Sequence, residues 1–175
     1  MRLTISGPPG SGKTTVCQLL SERTGMDMYV FGRVFRELAA EKGLSLAELG
    51  RLAEEDFSVD RMIDGRLLDT ARQREDIILE SRLAAHLLTR EGIPAFRVYL
   101  DASVPVRAER IGHREGESAE QAEAAMMDRA ASEADRYRKY YGIDIQDRSV
   151  YDLVLDTGPL SPEEIVDIIV KKAGL

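Results

Sequence analysis

The sequence predicts an α/β fold: a five-stranded, mostly parallel sheet covered by helices on both faces, with two helical inserts beside it. Three features carry this prediction. Five short β-like runs alternate with longer stretches of helical spacing, the pattern of parallel strands joined by crossover helices. A glycine-rich turn joins the first strand to the first helix. Two stretches, 33–74 and 104–145, read as helical without a strand and are too long for simple crossovers.

Leu3-Thr4-Ile5-Ser6 is the first strand, and a helix runs from about Lys13 to Arg23 after the glycine turn. Met28-Tyr29-Val30 is the second strand. Residues 33–74 are expected to be helical with breaks at Gly43 and near Ser58, with Ser45 and Ser58 as N-caps. Ile77-Ile78-Leu79 and Arg97-Val98-Tyr99-Leu100 are the next strands, separated by a helix from about Arg82 to Arg90. Ser103 caps a helix with Pro105 in its first turn, and Glu117 to Tyr141 forms a long one. After the last strand, Leu153-Val154-Leu155, the run Ser161-Pro162-Glu163-Glu164 opens a helix with Pro at N1 and a capping-box spacing.

The chain has 175 residues, enough for one domain with its own core. Hydrophobic residues make up 43% and charged residues 31%, a globular rather than a disordered balance. No apolar run approaches the roughly 20 residues of a membrane span, and the start lacks the regions of a signal peptide, so a cytoplasmic location is expected. The single cysteine, Cys17, excludes an internal disulfide framework and a cysteine zinc site. A net charge of −7 argues against nucleic acid or an anionic membrane as partner. A monomer acting on small molecules is expected.

Gly7-Pro8-Pro9-Gly10-Ser11-Gly12-Lys13-Thr14 fits G-x-x-x-x-G-K-[ST], with the strand before it and the helix after it that its mechanism requires. The glycines let backbone N–H groups turn inward around phosphate oxygens, and the helix N-terminus adds partial positive charge. Lys13 would bridge the β- and γ-phosphates of ATP, and Thr14 would offer its hydroxyl to Mg²⁺, with Thr15 beside it. An ordinary glycine turn is the plainer reading, and the eight matched positions with correct flanks outweigh it. Guanine-specific GTPases usually carry N-K-x-D; this chain has no Asn and no D-x-x-G. A small-molecule kinase and an assembly NTPase remain.

A kinase with a phosphorylated acceptor must hold two polyanions together, which calls for guanidinium groups from several segments converging on one cleft. Arg36 follows the second strand and Arg82 lies just past the third, both at carboxyl ends where ligands bind. Arg107, Arg110 and Arg114 fall at i, i+3 and i+7, within about 60° on a helix. Arg129, Glu133 and Arg136 share another face. Either stripe reads equally as an exposed face laced with salt bridges, Glu133 pairing both its arginines, or as a flap that neutralises transition-state charge. Asp60, Asp64 and Arg66 are candidates for reaching a base edge, and Glu80 for ordering Mg²⁺ through water. His86, His113 and Cys17 read as structural, and Glu54-Glu55-Asp56 as a solvated face. No general base is required, because a phosphate acceptor is largely ionised at pH 7 (second pKa about 6).

The chain resembles the compact, archaeal-type cytidylate kinases, nucleoside-monophosphate kinases of the P-loop group. The likeness spans Ile5 to Thr15, Gly32-Arg33-Val34-Phe35-Arg36-Glu37-Leu38-Ala39, Ala53-Glu54-Glu55-Asp56, Leu79-Glu80-Ser81-Arg82-Leu83-Ala84 and Val106-Arg107-Ala108-Glu109-Arg110-Ile111. It is most specific in Arg136-Tyr137-Arg138-Lys139-Tyr140-Tyr141-Gly142-Ile143-Asp144-Ile145. The resemblance implies an acceptor-binding insert at about 31–66, a lid at about 104–145, and transfer of the γ-phosphoryl of ATP to CMP and dCMP with Mg²⁺. It implies that Arg36 and Arg82 hold the acceptor phosphate and that Arg110, Arg129 and Arg136 attend the transferring group. Glu133, standing where the wider group has Asp, would meet the acceptor sugar or orient an arginine. Relatives usually carry Ser where this chain has Val30, so one hydroxyl near the acceptor is missing. AMP or UMP as acceptor, or an NTPase of ribosome assembly, are the alternative readings.

Overall fold

The computed structural model describes residues 1–175, apart from the side chains of residues 46 and 47. Five strands, β1 (Arg2–Ser6), β2 (Asp27–Val30), β3 (Ile77–Glu80), β4 (Phe96–Asp101) and β5 (Leu153–Asp156), form one sheet in the order β2-β3-β1-β4-β5. All four pairings are parallel. The register sets Ile5 and Val30 beside Glu80, and Ser6 beside Tyr99, so the carboxyl ends of β1 to β4 converge on one edge.

Eight helices complete the chain: α1 (Lys13–Thr24), α2 (Phe31–Glu41), α3 (Leu46–Glu55), α4 (Ser58–Gln73), α5 (Ala84–Arg90), α6 (Val104–Glu115), α7 (Ala119–Tyr141) and α8 (Pro162–Ala173). The inner strands β1 and β3 are buried on both faces because both are covered, whereas the edge strand β5 leaves Val154 exposed. Ile77 and Leu79 point into a core with Leu38, Ile63, Leu67 and Leu88 from α2, α4 and α5. Ile78, one residue out of phase, joins Leu3, Ile5, Val98 and Leu100 against Val16, Cys17 and Leu20 of α1 and Ile165, Val166 and Ile169 of α8. Among the described residues, no helix is long and apolar enough to cross a membrane.

Local chemistry explains the helix ends. Ser45 with Glu48, Ser118 with Gln121 and Ser161 with Glu164 each form a reciprocal capping box. Ser58, expected as an N-cap, is instead the first residue of α4. The N-cap position falls on Phe57, which makes no side-chain cap, and the Ser58 N–H donates to the Asp56 carboxylate at 2.9 Å. The helix expected from Arg82 starts at Ala84, because the Ser81 hydroxyl accepts the Leu83 N–H at 3.2 Å and holds residues 81–83 in a bend.

Candidate active site

The loop from Gly7 to Gly12 leaves β1, passes over the sheet edge and enters α1. Two glycines are required by space. A Cβ at Gly7, with φ +149°, would fall 2.1 Å from the Leu100 carbonyl oxygen; one at Gly10, with φ +79°, would fall 2.8 Å from the Arg107 carbonyl oxygen. The loop is therefore laid directly on the end of β4 and the first turn of α6.

A cleft of about 710 Å³ opens beside it. Its floor is Gly10, Gly12, Lys13, Thr14 and Thr15, Val30 at the end of β2, and Glu80 and Arg82 past β3. Phe31, Phe35 and Arg36 of α2, Gly50, Ala53 and Glu54 of α3 and Asp60 of α4 line one wall. Arg129, Glu133 and Arg136 of α7 line the other. A second cavity of about 380 Å³ adjoins the far side of the loop, between Gly10 to Gly12, Arg110 of α6 and Thr157 after β5.

Lys13 Nζ donates to the Pro8 carbonyl at 3.0 Å. Burial first, then the Arg82 guanidinium, lowers its pKa to about 8. Glu80 at the end of β3 is pushed up by burial, with Lys13 and Arg82 pulling against that. Glu133, 8% exposed, lies between two cations: Arg129 Nε at 3.0 Å from Oε1 and Arg82 Nε at 3.0 Å from Oε2. The Arg82 approach is not aligned as a hydrogen bond, so Oε2 is buried without a partner among the described residues. Arg136 pairs with Asp60 at 3.1 Å, and one turn along α4 the Asp64 carboxylate accepts from Tyr141 at 2.7 Å. Burial raises both carboxyls, Asp64 to about 7.

The expected site residues divide accordingly. Lys13, Thr14, Arg36, Asp60, Glu80, Arg82, Arg129, Glu133 and Arg136 share the large cleft. Arg110 does not line it; it is in the second cavity, donating to the Gly10 carbonyl at 3.1 Å and the Thr157 carbonyl at 3.0 Å. Arg66 faces outward in an ion pair with Glu41 at 3.2 Å and lines neither cavity. Glu133 pairs Arg129 but not Arg136 on its own helix; its second partner comes from the strand end at Arg82, because Arg136 is drawn to Asp60. Thr157 escaped the sequence reading, although its place just past β5 is the position at which such sheets carry ligand contacts. His86 and Cys17 are buried, and Glu54, Glu55 and Asp56 are exposed, as expected.

The profile of the Cytidylate kinase-like family matches residues 2–159. The chain belongs to this family. Among its relatives, a protein of Natronomonas pharaonis named cytidylate kinase is 48% identical over 97% of this chain and 87% of its own. Proteins of the same name from Methanococcoides burtonii and Sulfurisphaera tokodaii are 46% and 43% identical, covering 98% and 97% of this chain and 95% and 93% of theirs. The enzyme is thus a nucleoside-monophosphate kinase. In fold it is also similar to a shikimate kinase from Aquifex aeolicus, with TM-score 0.64, 19% identity and coverage of 99% and 96% of the two chains. An uncharacterised protein from Eubacterium ventriosum superposes with TM-score 0.74 at 17% identity, covering 98% and 96%.

Proposed function

We propose that the enzyme transfers the γ-phosphoryl group of ATP to CMP and dCMP with Mg²⁺. The observation that carries this is the facing of a phosphate loop and a cluster of guanidinium groups across one cleft, Arg36 and Arg82 on the floor and wall, Arg129 and Arg136 opposite. In this reading the donor nucleoside lies in the smaller cavity against Arg110, its triphosphate runs over the loop, and the acceptor lies in the larger cleft. The 31–66 segment then forms the acceptor wall, and the 104–145 hairpin of α6 and α7 the lid.

Arg82 and Arg36 hold the acceptor phosphate; Arg129 and Arg136 meet the transferring group once their carboxylate partners yield to it. Glu133 Oε2, ion-paired with Arg82 but accepting no hydrogen bond, can accept from a sugar hydroxyl. Asp60, released when Arg136 turns to the transferring group, can then accept from the exocyclic amine of a base. Catalysis is then positioning and charge neutralisation, with no protein base.

The chain's oxygen donors suit Mg²⁺: the exposed Thr14 hydroxyl and the buried Glu80 carboxylate, and no cluster of three or more His, Cys, Asp or Glu among the described residues. Such a sparse set fits an ion held mainly by phosphates and water. When bound, the ion neutralises phosphate charge.

An ADP-release assay with MgATP and CMP, dCMP, UMP, AMP and GMP tests the reading. Turnover with CMP and dCMP well above the others is expected. Preference for another nucleotide replaces the substrate, and slow turnover indifferent to every acceptor refutes the kinase reading.

A further inference from the structure

We infer that Arg107 is a positioning residue for the donor phosphates, acting through the backbone of the loop without touching nucleotide. Successive carbonyls of the loop are each held by a different side chain. Pro8 accepts from Lys13 at 3.0 Å, Pro9 from Arg107 Nη1 at 3.4 Å and Gly10 from Arg110 at 3.1 Å, and the Ser11 carbonyl lies 3.1 Å from the Thr157 hydroxyl, whose one proton it shares with the Asp101 carbonyl at 2.9 Å. A trans peptide points its C=O and N–H in opposite directions. Drawing the Pro9 carbonyl toward α6 therefore turns the Gly10 N–H toward the interior of the loop, where phosphate oxygens are bound.

Arg107 is fitted to this task. Its Nε donates to the Ala102 carbonyl at 3.0 Å, which fixes the guanidinium between the end of β4 and the loop. Its backbone is the surface on which Gly10 rests, closer than any Cβ would permit. It has no carboxylate partner among the described residues and lines neither cavity, so its charge is directed at carbonyls alone. Arg110, one turn on, touches the donor cavity itself; Arg107 does not.

The inference rests on the donor reading of the loop, and the test separates the two. Binding of inorganic tripolyphosphate to the whole chain is measured by calorimetry for wild type, Arg107→Met and Arg107→Lys, with amide chemical shifts of Gly10 and Gly12 followed by NMR and KM measured for ATP and CMP. Arg107→Met is expected to weaken tripolyphosphate and raise KM for ATP about tenfold or more, the scale of a lost charge-assisted hydrogen bond, while KM for CMP stays within about twofold. Arg107→Lys, which keeps the charge on a single ammonium group, recovers part of the loss, and the Gly10 shift on binding shrinks in the Met variant.

Wild-type protein that does not bind tripolyphosphate overturns the donor reading and the inference together. Normal wild-type binding with equal binding by Arg107→Met overturns the inference alone, as does a fall in melting temperature with KM for ATP unchanged. A larger effect on CMP than on ATP does the same. If Arg107→Met does not fold, Thr157→Val asks the same question of the neighbouring Ser11 carbonyl: an unchanged tripolyphosphate affinity there counts against carbonyl-held phosphate binding.

Discussion

On the proposed reading, the donor half of the cleft is built from backbone and the acceptor half from side chains. Around the loop, carbonyls of Pro8 to Ser11 are tied down by Lys13, Arg107, Arg110 and Thr157, and glycines press against β4 and α6. Across the cleft, Arg82 and Arg129 share Glu133, and Arg136 takes Asp60. In the first arrangement the loop carbonyls are already fixed; in the second, guanidinium groups are paired with internal carboxylates that phosphates would displace on the proposed reading. A preorganised backbone costs no reorganisation during reaction. Paired guanidinium groups stay satisfied while empty and exchange one anion for another on binding, which makes the acceptor half the adaptable one.

Lys13→Ala breaks the comparison on the donor side. Loss of the phosphate-clamping ammonium is expected to remove about 3–4 kcal/mol of transition-state stabilisation, read as a drop of about 10²–10³ in kcat/KM. Turnover near wild type would remove Lys13 from the chemistry.

Arg82→Ala probes the other half. It takes away a half-buried cation, assigned to the acceptor on the proposed reading, and leaves Glu133 with Arg129 alone. KM for the acceptor is expected to rise about tenfold or more, with a much smaller change for ATP. The opposite ordering would assign Arg82 to the donor.

The last effect is on stability rather than turnover and comes from beneath the acceptor wall. Asp64 sits under Tyr141 with its carboxyl raised to about 7 by burial. Between its ordinary range and that value, the folded protein keeps a proton that the unfolded chain has lost. Stability therefore falls as pH rises from about 4 to 7 and levels off above. Asp64→Asn keeps an acceptor for the Tyr141 hydroxyl and removes the titration. It is expected to be about 1–3 kcal/mol more stable than wild type at pH 8 but not at pH 4, measured by denaturant unfolding. Parallel pH profiles for the two proteins would show that Asp64 does not titrate there.

How much of this was legible along the chain follows the same division. The loop motif is contiguous, its flanks are local, and its chemistry resides in backbone geometry that eight neighbouring residues specify. The five strands and their order of appearance are set by short apolar runs, and the Ser161–Glu164 capping box by its spacing of three residues; Ser45 reads only as an N-cap, and the Ser118–Gln121 box goes unread. The arginine faces were visible as stripes, but their partners were not. Helical spacing brings Glu133 to Arg129, whereas Arg82 reaches it across the fold, and Asp60 takes Arg136 from a helix far away in the chain.

Arg66 and Arg110 show the limit from the other side: each lies near the right segment, yet one turns out to Glu41 and the other to the far side of the loop. By itself the sequence determined the sheet, the phosphate loop and the family, because those depend on periodicity and on neighbours in the chain. Only the tertiary structure decided which cation meets which anion, and which side chains hold the loop's carbonyls. Those contacts join residues such as Arg107 and Pro9, or Thr157 and Ser11, that chain connectivity leaves independent and packing alone brings within hydrogen-bond reach.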